Sequence, residues 1–412
     1  MSTSSRVLRL STLALSTLAV VSCSSGPDPA AGCTVTIHPG GDDQMAFQMA
    51  FVDAHDHAQI CVAPGTYHFT DPLALASLTG VSFRGIGATE ADVILDFSTM
   101  TSGERAVGFT MMTDVSVSNM TILDSIHDDL YFQHCTGVDV SHVTAGWVQR
   151  AMHGAYAIYP VESTNVRVDH CTAFGSADAG LYIGQTTNCI VSNSTAHDNV
   201  AGLEIENSTN CEVFGNHTYD NTAGILVFEL PGLPNHGMTT SVHDNISEHN
   251  NHINFAAGGI VQYVPVGIGV MVMAAREIEV HGNTISNNDF VGVLMVDYQT
   301  AALNGAPAST DTTYDGHLRH VYVHDNTQSG NSAMPAMDVG ALAGLDGTQE
   351  VDVLWDSFVP PDNVPPQICV RTSGHFRSID GPGGFPIDHI MDAPSAEAAG
   401  CTTPVIPPVT LP

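Results

Sequence analysis

Apolar and polar residues alternate over short stretches of this chain, and the alternation returns at a nearly constant interval. GLYIGQTTNCIVSN, beginning at Gly180, is followed 22 residues later by GLEIENSTNCEVFGN. An apolar residue that opens one short strand precedes the central valine of the next by ten residues in five places: Leu130/Val140, Ile158/Val168, Leu181/Val191, Leu203/Val213 and Val270/Val280. Two short strands per repeat, with Asn and Gly between them, predict a solenoid of stacked β-coils.

Successive side chains of each strand are expected to point alternately into the solenoid and away from it. In one coil the residues predicted to point inward are Leu203, Ile205, Cys211 and Val213. Cys189 precedes Cys211 by one coil, and neighbouring rungs lie about 4.8 Å apart. A disulfide between these cysteines is geometrically possible, but we favour two buried thiols that pack as small hydrophobes.

The outward positions form two columns that run from coil to coil, and we call them together the Tyr/Glu strip. The first column is Tyr131, Tyr159, Tyr182, Glu204, Leu226, Met271 and Leu294, and the second is Gln133, Val161, Gly184, Glu206, Phe228, Met273 and Val296. Tyrosine rings at rung spacing suit stacking on sugar rings, although a tyrosine ladder could equally serve the sheet alone. The candidate substrate-binding residues are Tyr131, Tyr159, Tyr182, Gln133 and Phe228.

Glu204 and Glu206 are the candidate catalytic residues of this strip. They stand two residues apart on one strand, which separates them by about 6.6 Å along the backbone. As an acid/base pair they would resemble the carboxylates of glycoside hydrolases, and as oxygen ligands they could hold calcium. The alternative is a solvated surface pair without a function.

Three irregular segments interrupt the repeat beside this strip. They lie within 230–239, at 299–317, and in NNHINFAAGGIVQYVPVG, which begins at Asn250. Long loops on a rigid scaffold commonly carry binding sites. We expect these loops to cover the apolar half of the strip, from Leu226 to Val296.

A column of histidines marks another outward face. His243, His281 and His324 each follow a valine, in VHDN, VHGN and VHDN. Stacked histidines could bind a metal. Because Asn216, Asn245, Asn283 and Asn326 stand at the same corner, the simpler interpretation is a turn ladder whose side chains satisfy backbone groups; the sequence assigns no metal site.

The charge balance limits the partners. The chain has 43 acidic residues, ten arginines and no lysine, for a formal net charge of −33. Such a field repels nucleic acid and anionic membrane surfaces. Neutral ligands, or acidic ligands bridged by calcium, are favoured, and no other cofactor is expected.

The repeat resembles that of right-handed parallel β-helix proteins, including a family of bacterial β-helix lipoproteins of unestablished activity. ICVAPGTYHFTDPLALASLTGVSFRGIG resembles the first coil of secreted polysaccharide lyases, and DDQMAFQMAFVDA could form a helix that caps the open end. The resemblance implies an all-β solenoid with an irregular C-terminal cap. The expected divisions are a signal peptide at 1–22, a lipidated linker at 23–32, an N-terminal cap and coil at 33–79, the β-helix at 80–356 and a C-terminal cap or tail at 357–412.

The N-terminus resembles a lipoprotein signal. Arg6 and Arg9 precede an apolar run that ends in VVSC at Cys23, and this run is too short to span a membrane comfortably. The resemblance implies that Cys23 is acylated and anchors the protein in the cell envelope, at the outer membrane; an ordinary signal peptide is the alternative. In that oxidising compartment, Cys33 with Cys61 and Cys369 with Cys401 are candidate disulfides.

One further motif bears on the reaction. HGAYAIYPVESTNVRV is similar to a Tyr-Gly-x-Asp-Pro-His type motif of mannuronan C5-epimerases, of which Tyr156 and Pro160 are kept. Tyr159 replaces the acid and Val161 the histidine, so the epimerase mechanism does not transfer. Lyase chemistry is also disfavoured, because Arg150 and Arg167 are the only nearby cations.

The sequence therefore predicts an envelope-anchored β-helix that binds a polysaccharide along the Tyr/Glu strip and could process it. The first alternative is a hydrolase, or less readily a lyase or epimerase, that uses Glu204 and Glu206. The second is a structural solenoid that docks an envelope protein partner; an uncovered apolar half of the strip would favour it.

Overall fold

The chain winds into the predicted right-handed parallel β-helix. A computed structural model describes residues 29–362, 364, 366–372, 374–393, 396–397 and 405–412. The signal segment, the candidate lipidation site Cys23 and the candidate disulfide partner Cys401 lie outside the described residues. None of the described helices has the length and apolar character needed to cross a bilayer.

The elements of the N-terminal half are β1 Val35–Ile37, α1 Asp43–Val52, β2 Gln59–Val62, β3 Gly65–His68, β4 Leu73–Ala76, β5 Ser82–Gly85, β6 Val93–Asp96, β7 Arg105–Thr110, β8 Thr113–Leu123, β9 Asp128–Gln133, β10 Thr136–Gly146, β11 Tyr156–Val161, β12 Thr164–Asp169, β13 Thr172–Phe174, β14 Ala179–Gly184, β15 Thr187–Ser192, β16 Thr195–His197, β17 Ala201–Glu206, β18 Thr209–Phe214 and β19 His217–Tyr219. Those of the C-terminal half are β20 Ala223–Phe228, β21 Met238–His243, β22 Ile246–Glu248, β23 Ile268–Met273, β24 Arg276–His281, β25 Thr284–Ser286, β26 Val291–Val296, α2 Tyr298–Leu303, β27 Arg319–His324, β28 Thr327–Ser329, α3 Met337–Ala343, β29 Val353–Trp355, β30 Ile368–Arg371, β31 Phe376–Ser378, β32 Met391–Ala393 and β33 Ala396–Glu397.

Strands of successive coils pair in parallel and in the register that the ten-residue spacing predicts. Leu181 pairs with Leu203 in one sheet, and Val191 pairs with Val213 in the other. The first sheet, which we call the strip sheet, runs from β4 through β9, β11, β14, β17, β20 and β23 to β32. The inward residues of both sheets form one continuous apolar core.

The helix predicted near the N-terminus caps this core. In α1 the side chain of Asp42 accepts a hydrogen bond from the Met45 amide, which satisfies a backbone group that the first turn leaves free. Phe47 and Phe51 of α1 are buried and pack against Phe83 of the first coils. The helix therefore closes an end that would otherwise expose strand edges and core.

Asparagines at the corner between strands form the predicted ladder. Asn245 donates from Nδ2 to the Val213 carbonyl and to Asn283 Oδ1, and its own Oδ1 accepts from the Asn216 amide. Asn283 repeats the pattern with Asn326 one coil further along. Asparagine side chains thus supply hydrogen bonds to the backbone groups of the buried turn.

One prediction about the cysteines is wrong and another is confirmed. Cys189 and Cys211 are joined by a disulfide, so the preference for two free thiols is wrong. Register explains the bond, because these residues pair across β15 and β18 with Cα atoms 4.5 Å apart, which is within disulfide range. The predicted Cys33–Cys61 bridge is present, and Cys369 is disulfide-bonded.

Candidate functional site

The Tyr/Glu strip has the predicted register on the outer face of the strip sheet. Tyr131 pairs with Tyr159, Tyr182 with Glu204, and Glu204 with Leu226. The pairing continues through Met271 to Leu294. The sequence period therefore placed these side chains in one row.

The strip is not an open groove. Glu204 is 1% exposed, Glu206 8%, Tyr182 3% and Tyr131 4%. The interpretation of Glu204 and Glu206 as a solvated surface pair is therefore wrong. The physical reason is that non-repetitive segments fold back over this face and remove it from water.

The apolar half of the strip is covered, as predicted. Val261 and Val264 of the segment before β23, together with Tyr298 of α2, join the strip in a second apolar cluster outside the β-helix. Leu345 and Ile379 from the C-terminal region also belong to it. The cluster leaves a cavity of about 350 Å³ whose strip-side lining is Leu226, Phe228, Met271, Met273, Leu294 and Val296. Phe228 thus lines an apolar cavity and lies away from solvent.

A third carboxyl joins the two glutamates. Asp178 directly precedes β14, and its Oδ2 accepts a 3.1 Å hydrogen bond from the Tyr156 hydroxyl. Glu206 Oε2 accepts a 2.6 Å hydrogen bond from the Tyr182 hydroxyl. Glu204 Oε1 is buried and has no hydrogen-bond partner among the described residues. We call Asp178, Glu204 and Glu206 the carboxyl cluster.

Burial raises the pKa of every member of the carboxyl cluster. The pKa of Glu206 rises to about 7, chiefly through desolvation, although the hydrogen bond from Tyr182 opposes the shift. The pKa of Asp178 rises to about 8 through desolvation and the nearby Glu206 charge. The pKa of Glu204 is well above its usual value because the side chain is buried beside Asp178 and Glu206. Near neutral pH the cluster therefore contains both protonated and ionised carboxyls.

The tyrosines pack against one another around this cluster. The Tyr159 ring lies 4.2 Å from that of Tyr156 and 4.8 Å from that of Tyr182, measured between centroids. Tyr131 is covered on one side by the Arg105 guanidinium, 3.7 Å from its ring centre. Tyr156 and Tyr159 remain half-buried. Only these two rings among the four thus offer a surface for a ligand.

Polar side chains form the rim beside Tyr159. Gln133 is half-buried and donates from Nε2 to Glu162 Oε2 at 2.7 Å. Arg105 donates from Nε to Asp128 Oδ2 at 3.2 Å. Of the predicted residues, Tyr131, Tyr159 and Tyr182 pack in one row that leads to Glu204 and Glu206. Gln133 lies at the rim beside Glu162, and Phe228 lies in the apolar half.

Asp178 and Tyr156 are the residues that the repeat pattern does not single out. Ala179, Ala201 and Ala223 pair from coil to coil, so the residue before each alanine is Asp178, Val200 or Thr222. The only sequence indication of Asp178 was therefore an acid at a corner where the other coils have a valine and a threonine. This indicates a functional residue only when the corner is known to be buried.

The histidine column stacks as predicted but is arranged for hydrogen bonding. The rings of His243, His281 and His324 are separated by 5.0 and 5.1 Å. His243 Nε2 contacts Glu212 Oε1 at 3.0 Å, and His324 Nε2 contacts Glu279 Oε1 at 2.9 Å. Within the described residues, no group of three or more His, Cys, Asp and Glu side chains is arranged to hold a metal ion.

Comparisons with known proteins agree with this architecture. Residues 76–232 and 152–308 match the family model described as "Right handed beta helix region". Among solved structures, the chain is similar to the A-module of mannuronan C-5 epimerase AlgE6 from Azotobacter vinelandii, with 13% identity, a TM-score of 0.50 and 77% of each chain covered. It is also similar to a hyperthermoactive exopolygalacturonase from Thermotoga maritima, with 11% identity, a TM-score of 0.52, and 84% of this chain and 90% of that chain covered. At these identities the similarity shows the fold alone. No curated protein matches the sequence significantly.

Proposed function

This chain belongs to the right-handed β-helix family, and from that premise we propose that it binds a neutral polysaccharide at the carboxyl cluster and hydrolyses it. The solved structures that it resembles include a mannuronan epimerase and an exopolygalacturonase. Polysaccharide is therefore the ligand class that the family context favours. The net charge of −33 and the three acids at the site favour a neutral glycan over a uronate.

The observation that carries the proposal is the burial of three carboxyls in one place with little to compensate them. Removing a carboxylate from water costs several kcal/mol unless it is paired. Here the hydrogen bonds to Asp178 and Glu206 come from neutral phenols, and Glu204 Oε1 receives none from the described residues. An arrangement that costs stability and raises several pKa values is typical of an active site.

The raised pKa values suit glycoside hydrolysis. Glu206 has a pKa of about 7, so a large fraction is ionised at neutral pH and can act as base or nucleophile. Asp178, with a pKa of about 8, stays mostly protonated at neutral pH and can donate a proton to a leaving-group oxygen. Half-buried Tyr159 stands at the rim, where its ring can pack on a sugar face.

The test is a panel of neutral and acidic glycans, measured for binding and for release of reducing ends, with calcium and with a chelator. We expect the wild-type protein to bind and cleave a neutral glycan, and Glu206→Gln, Glu204→Gln and Asp178→Asn each to lower turnover about 100-fold or more. Glu277→Gln is the matched control, because Glu277 is exposed on another face. Wild-type turnover in all three cluster variants would overturn the proposal. Loss of binding in the chelator would assign calcium to the site.

The partner-docking alternative loses its main argument. It rested on an apolar half of the strip left open to solvent, and that half is covered by the chain's own segments.

We further propose that Cys23 carries the lipid anchor and keeps the protein in the cell envelope, at the outer membrane. The support is the VVSC sequence after an apolar run.

A further inference from the structure

The C-terminal segment 405–412 lies against the outer face of the sheet that carries β18, β21 and β24. The Ile406 amide donates a 2.7 Å hydrogen bond to Glu279 Oε2, and the Val409 amide donates a 2.9 Å bond to Glu212 Oε2. Both acceptors are buried: Glu279 is 1% and Glu212 7% exposed. An extended peptide is therefore held by charge-assisted bonds, which are among the stronger hydrogen bonds in proteins.

The two carboxylates are oriented independently of the peptide. Glu279 Oε1 contacts His324 Nε2 at 2.9 Å, and Glu212 Oε1 contacts His243 Nε2 at 3.0 Å. The stack through His281 holds both histidines in place. Each glutamate thus uses one oxygen for a histidine and presents the other outward. We call this surface the Glu212/Glu279 groove.

The spacing of the groove matches a polyproline II helix. Glu212 pairs with Ser241, and Ser241 pairs with Glu279, so the two glutamates are two rungs apart, or about 9.6 Å. Three residues of polyproline II extend about 9.3 Å. Ile406 and Val409, three residues apart, are 9% and 8% exposed. Of the other six residues Leu411 is half-buried and the rest are exposed, so one face of a three-residue repeat contacts the groove.

The peptide sequence determines which of its amides can donate to the groove. Pro407 and Pro408 stand between the two donors, and proline has no N–H and favours the extended conformation. Within Ile406–Val409, the only amides that can donate are the two that reach the glutamates. The segment therefore meets the groove through two amides and two apolar side chains that flank a Pro–Pro pair.

We propose that the Glu212/Glu279 groove is a docking site for extended proline-rich peptides of this pattern on a partner protein, and that residues 405–412 are its resident occupant. Both hydrogen bonds come from the backbone of the segment and its two buried side chains are apolar, so an unlinked peptide of the same pattern can make the same contacts. The tethered segment competes at a high effective concentration. Partner binding is consequently strongest when the segment is displaced or removed.

The experiment uses a fluorescent peptide of sequence VIPPVTLP and two proteins, the full chain and a chain ending at residue 404. The shortened protein should bind the peptide saturably, and the full chain at least tenfold more weakly. A peptide with prolines in place of Ile406 and Val409 should not bind. In the shortened protein, Glu212→Gln and Glu279→Gln should each weaken binding tenfold or more, whereas Glu277→Gln, on the same strand as Glu279, should not. A folded shortened protein that does not bind the peptide overturns the proposal.

A second measurement covers the case in which the shortened protein does not fold. Amide hydrogen exchange on the full chain should show protection at Ile406 and Val409, and this protection should fall at least tenfold in Glu212→Gln and Glu279→Gln. Glu277→Gln should leave it unchanged. Fast exchange at both amides in the wild-type protein would overturn the proposal, whether or not the shortened chain folds.

Discussion

The Tyr182 hydroxyl reaches into the next coil and donates a 2.6 Å hydrogen bond to Glu206 Oε2. Tyr182 is 3% exposed, so the bond lies away from solvent. It favours the ionised form of Glu206, while burial favours the protonated form more strongly. The balance of these two effects leaves a carboxyl that titrates near neutral pH and makes the protein sensitive to pH in that range.

The first prediction concerns stability against pH. The folded-state pKa values of Glu206, about 7, and Asp178, about 8, lie above the usual 4.5 and 3.8, so the folded protein retains protons that the unfolded chain releases. Their contribution to the free energy of unfolding is therefore full below about pH 4 and is lost as the pH rises through 7 to 8, by up to about 1.4 kcal/mol per pH unit for each group.

Denaturant unfolding between pH 4 and 8.5 tests this prediction. The double variant Asp178→Asn/Glu206→Gln should show a flatter pH dependence than the wild-type protein, because amides do not titrate. Equal slopes in the two proteins would mean that these carboxyls are not buried in solution. Glu277→Gln should keep the wild-type slope.

The second prediction concerns the asparagine ladder. Asn245→Ala leaves the Asn216 amide and the Val213 carbonyl without their side-chain partners in a buried turn. We expect the free energy of unfolding to fall by about 3 kcal/mol. Thr284→Ala, an exposed substitution one coil along, should change it by less than about 0.5 kcal/mol. Similar losses in both variants would contradict the ladder's role.

The third prediction concerns the disulfide between neighbouring coils. Replacing Cys189 and Cys211 by serine opens a loop of 22 residues, and the chain-entropy model gives a loss of about 3 kcal/mol. Non-reducing peptide mapping should join these two cysteines, while buried Cys135 and Cys171 should be recovered as free thiols. A wild-type map without the Cys189–Cys211 link would restore the interpretation as two packed thiols.

The sequence contains the register of the fold because inward residues recur with the coil. Leu203, Val213 and Cys211 must each stack on the same position of the neighbouring coil, so their spacing reports the pairing directly. The repeat does not show which outward residues face water. The segments that bury Glu204 and Leu226 are insertions without a period, and nothing local encodes their path across the strip sheet.

The contacts of the C-terminal segment are even harder to predict from the sequence. Val409 donates to Glu212 across 197 residues of sequence, and neither residue belongs to a sequence motif from which the contact could be predicted. The pairing depends on the rung spacing of a completed β-helix. Likewise, Asp178 becomes a candidate only when folding places its corner beside Glu204 and Glu206.

The fourth prediction concerns the anchor. If Cys23 is acylated after signal cleavage, Cys23→Ser should move the protein from the membrane fraction to the soluble fraction, because the acyl chains provide the membrane affinity. Fractionation followed by immunoblotting measures this, and Cys135→Ser, in the core, controls for a general effect of losing a thiol. An unchanged distribution of Cys23→Ser would exclude lipid anchoring at this residue.

The last prediction separates the catalytic proposal from a structural role for the same residues. Tyr182→Phe removes the hydroxyl that favours ionised Glu206 and leaves the packed ring in place, so the pKa of Glu206 should rise further. If ionised Glu206 acts as the base or nucleophile, the acid limb of the turnover profile should move up by roughly one pH unit. Tyr219→Phe, on another face, should leave the profile unchanged. An unmoved acid limb in Tyr182→Phe, with wild-type folding, would show that Glu206 is not the group whose ionisation controls turnover.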